Sequence, residues 1–313
     1  MLQDYKKHCE EREKQSIPPL PLSAQQTSDL VELLKVEHKE SELLLELLRE
    51  RVPAGVDQAA YVKAGFLADI TTGKTSSPYI SKKEAVMILG TMLGGYNIQP
   101  LIRCLESDEL GEEAATALSK TLLIFDAFNE VLALSETNKN AKTVIDAWAE
   151  GLWFTEKQEI AEQIKLTVYK VPGEINTDDL SPATDAWSRP DIPLHALAMF
   201  KMPREGLERP LETITDLKKK GNPLVFVGDV VGTGSSRKSA TNSVLWHMGD
   251  EIPCIPNKKE GGFCFGGKIA PIFFNTLEDS GAFPVECDVS KLEMGQEIIF
   301  EPFKGQITDA KTN

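Results

Sequence analysis

Residues 223–246 read Pro223-Leu224-Val225-Phe226-Val227-Gly228-Asp229-Val230-Val231-Gly232-Thr233-Gly234-Ser235-Ser236-Arg237-Lys238-Ser239-Ala240-Thr241-Asn242-Ser243-Val244-Leu245-Trp246. An apolar run, a glycine-rich turn and an amphipathic start in that order predict a strand, a tight turn and a helix. Glycine permits the turn, the first amides of the helix have no intrahelical acceptor, and the macrodipole favours an anion there. Ser235, Ser236 and Arg237 stand where that anion docks. Arg237 suits a bidentate grip on a carboxylate or phosphate, and a serine hydroxyl ringed by donors and a cation is eased toward ionisation. The Walker pattern requires glycine where Arg237 stands, and the dinucleotide fingerprint fails at the same place, so nucleotide binding is the weakest alternative. The plain alternative is a structural helix start, turned by Gly232 and Gly234 and capped by Ser235.

A chain of 313 residues predicts two domains, each with its own core. No apolar run approaches the roughly 18 residues of a membrane span, and the charged stretch Met1 to Lys14 is unlike a secretory signal, so a cytoplasmic location without membrane association is expected. Cys9, Cys104, Cys254, Cys264 and Cys287 are scattered and odd in number, which argues against disulfides, a zinc knuckle or a self-contained iron–sulfur site. The formal charge is −14, and both parts of the chain are acidic: 17 basic against 26 acidic residues up to residue 160, then 17 against 22. Short basic stretches at Lys218 to Lys220 and Lys258–Lys259 are too small to reverse that field for nucleic acid.

From about residue 23 to 161 apolar residues recur at three- and four-residue steps, as in Leu30, Leu33, Leu34 and Leu43, Leu44, Leu47, Leu48. Ser23 with Gln26 reads as a capping box. Further helical segments are expected at Val56 to Ile70, Ser81 to Leu93, Ile98 to Leu105, Glu112 to Leu134 and Ala141 to Leu152, with Gly94 to Asn97 as a loop. An all-α array results, over residues 1–161. Beyond about 162 the texture changes to α/β, with strands expected at Lys165 to Lys170, Leu224 to Val227, Ile252 to Ile255, Phe283 to Val285, Ile298 to Phe300 and Gly305 to Thr308. Helices are expected between them at Leu194 to Phe200, Leu211 to Lys219, Ser239 to Met248 and Pro271 to Ser280. Residues 162–313 thus read as an α/β sandwich, without an obvious closing element at the end, as in a piece of a longer chain. His195 and His247 read as packing or surface histidines, Asp178 as a turn or cap residue, and Phe273 and Phe274 as core.

In combination the motifs become specific. Gly173 to Pro182 (Gly-Glu-Ile-Asn-Thr-Asp-Asp-Leu-Ser-Pro), Trp187-Ser188-Arg189 and Thr233 to Arg237 resemble, in order, the swivel domain of the aconitase family. Asp185 to His195 and the helical first part are similar to its bacterial B-type branch. The resemblance covers essentially the whole chain. It implies a HEAT-like helical domain followed by a β/β/α swivel domain, within a lyase of the tricarboxylic acid cycle. That enzyme interconverts citrate and isocitrate through cis-aconitate and dehydrates 2-methylisocitrate. It further implies Ser235 as the base for the carbon-bound proton, with Arg189, Ser236 and Arg237 binding substrate carboxylates and Asp178 in support. A [4Fe–4S] cluster is implied, but its cysteine ligands lie downstream of the swivel domain in this branch, so no metal ligand is expected here. The commoner Ser-Ser-Arg-Glu-His pattern is replaced by Lys238-Ser239 after Arg237, which fits the B-type branch. By the same resemblance the helical domain dimerises and, without the cluster, binds messenger RNA, which makes an interaction module the competing function.

Overall fold

The computed structural model describes residues 1–121, 127–156 and 159–311. The chain divides into two compact units: Met1–Arg12, Pro19–Glu159 and Pro253–Pro256 form one, and Glu13–Pro18, Ile160–Ile252 and Asn257–Asn313 the other.

The first unit is helical: α1 (Leu2–Glu13), α2 (Ala24–Leu34), α3 (Ser41–Glu50), α4 (Gln58–Thr71), α5 (Lys82–Gly90), α6 (Ile98–Cys104), α7 (Gly111–Ser119), α8 (Phe128–Ser135), α9 (Lys139–Glu150) and α10 (Leu152–Thr155). The capping box at α2 forms as its spacing predicts, Ser23 Oγ accepting from the Gln26 amide at 3.2 Å and Gln26 Oε1 from the Ser23 amide at 2.9 Å. Leu30 and Leu34 of α2 and Leu44, Leu47 and Leu48 of α3 are buried in one core, so the leucine spacing reports the packed stripe. The continuous helix expected over Glu112 to Leu134 is instead α7 and α8, and residues 122–126 lie outside the described residues. Helix α1, read only as a charged stretch, tucks Tyr5 into the core.

The second unit is built on a six-stranded sheet among the described residues. Its strands are β1 (Ile164–Asn176), β2 (Leu224–Thr233), β5 (Phe263–Ile269), β6 (Phe283–Glu286), β7 (Glu297–Glu301) and β8 (Gln306–Asp309), in the order β6-β5-β2-β1-β7-β8. The pairs β6–β5, β5–β2 and β2–β1 are parallel, while β7 and β8 add antiparallel. A separate two-stranded ribbon pairs β3 (Asp250–Glu251) with β4 (Lys259–Glu260). Helices α11 (Thr177–Leu180), α12 (Ile192–Ala196), α13 (Pro210–Lys218), α14 (Arg237–Met248) and α15 (Pro271–Asp279) complete the unit, with a 3-10 turn at Ala183–Ser188.

Central strands covered on both faces have no polar side, which is why the run before Gly228 is continuously apolar. Leu224 and Phe226 of β2 join Tyr169 of β1 under Ile214, Val244 and Phe273 of the helices. Val225 and Val227 join Leu166 and Val168 against Val289, Leu292 and Phe300 on the other face. Each such large side chain contributes roughly 1.5–3 kcal/mol of burial.

One expected strand is absent and one strand was not foreseen, each for local reasons. Ile252 to Ile255 is no strand, because Pro253 has no ladder donor and Cys254 sits at φ 63°. Strand β5, which holds the sheet's parallel half together, was not anticipated: its Gly266-Gly267 pair suppresses strand propensity. Those glycines serve packing, since a Cβ would stand 2.5 Å from Ile269 at Gly266 and 2.7 Å from the Asp229 carbonyl at Gly267.

Candidate active site

Register puts the two motif segments side by side. β1 and β2 run parallel with Asn176 opposite Thr233, so Thr177 of α11 and the turn before α14 leave the sheet at adjacent carboxyl ends. That edge is where open α/β sheets bind ligands. Asn176 caps α11, its Oδ1 accepting from Asp178 N at 2.7 Å and Asp179 N at 3.1 Å, and Asp179 Oδ2 accepts in return from Asn176 N at 2.9 Å.

The turn is held by close contact. Gly232 (φ 81°) lies against the ring of Phe273, 2.2 Å from where its Cβ would be, and Gly234 (φ 103°) would place a Cβ 2.5 Å from Thr177 Oγ1. That Oγ1 accepts from the Ser236 amide at 3.1 Å, and Thr233 Oγ1 donates to Glu174 Oε1 at 2.8 Å. Phe273 and Phe274 both pack into the core, as expected, and Phe273 also forms the floor of the turn.

Helix α14 starts at Arg237 with Ser236 as its N-cap residue, and no side chain caps it. The capping role considered for Ser235 is therefore not what the structure shows. Ser235 is exposed, and Ser236 and Arg237 are half-buried. Arg189, on the turn after Ser188, donates from Nη2 to Ser236 Oγ at 3.0 Å, while its Nε is buried without a hydrogen-bond partner. Among the described residues Arg237 has no ion-pair partner. Arg189 thus meets Ser236 beside Ser235 and the uncapped start of α14, and a buried guanidinium donor without an acceptor favours an incoming anion. Asp178 is exposed beside Thr177; its neighbour Asp179 carries the visible structural load, bonded to Arg204 at 3.1 Å.

Reading the residues in isolation missed what stands behind the loop. His195 is buried between Ser181 and Ser188, contacts that span 14 and 7 residues and have no periodic signature. Burial, with the Arg189 charge nearby, holds its imidazole below the ordinary histidine range. His247 is a packing histidine, its Nε2 on the Ala196 carbonyl at 3.0 Å.

A separate cleft of about 500 Å³ on the same unit contains none of these groups. It is lined by Asp229, Glu286 and Asp288, which accept from the amides of Gly173, Ile269 and Ser290, with Lys268 paired to Glu286, so carboxylates outnumber cations there.

The cysteines do not fit an iron–sulfur cluster. Burial pushes all five thiols up, Cys264 to about 12. Among the described residues no three His, Cys, Asp or Glu side chains are grouped to hold a metal. No helix is long and apolar enough to cross a membrane.

Comparison with known proteins agrees with the motifs. The family described as Aconitate B N-terminal domain matches residues 4–154, and that described as Aconitate hydratase 2 N-terminus matches 166–313. Aconitate hydratase B of Synechocystis is 62% identical over 314 residues, covering 99% of this chain and 36% of the relative. Its counterpart in Escherichia coli is 57% identical over 321 residues, 100% of this chain and 37% of the relative, and that of Pseudomonas aeruginosa is 57% identical over 316 residues, 98% and 36%. The chain therefore spans little more than a third of the length of these relatives. By both its units, it belongs to the family of bacterial aconitase B N-terminal regions.

Proposed function

We propose that the chain supplies the carboxylate-binding and base-bearing part of an aconitate hydratase acting on citrate, cis-aconitate, isocitrate and 2-methylisocitrate. The observation that carries this is the Arg189–Ser236 contact, with Arg189 Nε lacking an acceptor and Ser235 and Arg237 open beside it. In this reading Arg189, Ser236 and Arg237 take substrate carboxylates, and Ser235 Oγ removes the proton from the carbon next to one of them. The electron pair left on that carbon spreads onto the carboxylate, where the guanidinium groups and the amides at the start of α14 meet the charge. Asp178 supports the turn from α11. The [4Fe–4S] cluster of the assembled enzyme would have its ligands outside these residues, in a helical-plus-swivel arrangement of the HEAT-like and β/β/α kind.

The test is Ser235→Ala, with the chain joined to the cluster-bearing remainder of a relative and aconitate formation measured. Loss of a positioned base is expected to lower kcat by a factor on the order of 10² to 10⁴ with little change in KM. Undiminished turnover would remove Ser235 from the role.

Self-association through the helical unit is a second reading, favoured by Phe154, Trp153, Phe128 and Leu132, which are exposed near its end. Sedimentation of the chain across a concentration series tests it, and a monomer throughout would refute it.

A further inference from the structure

Behind the exposed loop lies a closed polar network. Ser188 Oγ donates to the Asp185 carbonyl at 2.7 Å, and His195 Nδ1 faces the same Ser188 Oγ at 2.8 Å. On the other side of the ring, His195 Nε2 faces Ser181 Oγ at 2.8 Å. Ser181 Oγ is 2.8 Å from Ser239 Oγ, which reaches the Ser236 carbonyl at 3.2 Å. Ser181, Ser188 and His195 are at most 4% exposed, so water does not complete these bonds.

The network is one proton short. Ser188 has one hydroxyl proton, spent on Asp185, so it can only accept from His195 Nδ1–H. The five contacts need five protons, but three hydroxyls and a neutral imidazole hold four. A cationic imidazole would supply the fifth, and desolvation together with Arg189 opposes that form. Ser181 donates to Ser239 and Ser239 to the Ser236 carbonyl, so a ring protonated at Nε2 donates to Ser181 and the contact left without a proton is the one between Nδ1 and Ser188. The imidazole thus sets how firmly the loop backbone is gripped. An apolar residue of similar shape would fill the space without these serines, so packing alone does not account for them.

We propose that His195 is a positioning residue for the carboxylate site: packed against Ser188 on the turn that carries Arg189, it donates to Ser181 and through Ser181 and Ser239 fixes the Ser236 backbone. The Arg189–Ser236 bond closes the ring between these two anchored segments. The role rests on the reading of Ser235 to Arg237 as the substrate site. The network does not touch substrate; it sets the spacing of the groups that do.

The experiment compares His195→Leu, His195→Asn, His195→Gln and Ser239→Ala by amide hydrogen exchange of this chain, and by kcat and KM for isocitrate with the cluster-bearing remainder attached. Asparagine places its amide at the Nδ1 side, toward Ser188, and glutamine reaches the Nε2 side, toward Ser181. Exchange at residues 235–240 is expected to rise roughly tenfold in His195→Leu while β5 stays protected, with KM raised by a similar factor. His195→Gln is expected to recover more than His195→Asn, since the link to Ser236 leaves from Nε2; a packing role predicts no such ranking. Ser239→Ala, which spares the core, is expected to shift exchange and KM in the same direction. Unchanged KM in every variant, or increased exchange spread equally over β2 and β5, overturns the positioning role. Ser235→Ala measured alongside separates the two ideas: if it alone impairs turnover, only the positioning role has failed, and if it does not, the site reading has failed with it.

Discussion

Arg189 Nη2 donates to Ser236 Oγ at 3.0 Å, a bond between residues 47 apart in sequence. It joins the turn after the 3-10 helix to the start of α14. A charged donor bonded to a neutral hydroxyl keeps most of its capacity for an anion.

Arg189→Gln should therefore weaken tricarboxylate binding without unfolding the unit. A charge-assisted hydrogen bond contributes roughly 1.5–3 kcal/mol, which corresponds to a rise in KM of roughly 10- to 150-fold. Arg189→Lys should restore only part of this, because an ammonium group lacks the planar fork. Steady-state kinetics of the assembled enzyme, with circular dichroism as a control for folding, is the measurement. An unchanged KM in both variants would take Arg189 out of the site.

Gly232→Ala should destabilise the second unit. The backbone there has φ 81°, and the new Cβ would lie 2.2 Å from the Phe273 ring. The left-handed conformation alone costs an alanine about 1–2 kcal/mol, and overpacking against a buried ring adds about 1–3 kcal/mol. Adding Phe273→Leu should recover part of the loss. Urea unfolding followed by tryptophan fluorescence measures both, and a midpoint indistinguishable from the parent's would contradict the packing described.

Acid should destabilise the second unit through His247. Burial lowers its imidazole to about 4 from an ordinary 6.5, so between those values the unfolded chain binds the extra proton and the folded one does not. Stability is accordingly complete above pH 6.5 and is lost as pH falls toward 4, by an amount on the order of 3 kcal/mol. His247→Gln keeps a donor for the Ala196 carbonyl and should flatten that slope. The buried His195 adds a slope of the same sign, so the comparison is between the variant and the parent. Parallel curves of stability against pH would refute the assignment.

Arg204 should prove structural. Its guanidinium donates to the Pro172 carbonyl at 2.7 Å, to the Glu174 carbonyl, and to Asp179 at 3.1 Å, bracing the end of β1 that leads to Thr177. Arg204→Met is expected to lower stability by about 2 kcal/mol and to loosen residues 172–177 in hydrogen exchange. Retained protection there would show that the brace is dispensable.

Periodicity was enough to separate the helical part from the α/β part, because a leucine stripe and a doubly covered strand leave different patterns in any chain that buries them. Motif order led to the expectation of an anion at Ser235 to Arg237, since a glycine turn leading into a helix start presents amide donors. The serine cap considered as the plain alternative was locally reasonable and is absent: the Ser236 amide is satisfied by Thr177, which no local rule connects to it. Strand β5 was hidden for a related reason, its glycines answering to neighbours in space and not to strand propensity.

The sequence by itself determined the division into a helical and an α/β part, most of their segments, where the turn lies and which side chains it presents, because those follow from short-range sterics and burial. Only the tertiary structure decided that Arg189 meets Ser236 and that His195 lies behind them. Those contacts depend on the parallel register of β1 and β2 and on the docking of α12 against α14, which are set by the closing of one shared core and not by any neighbouring residues in the chain.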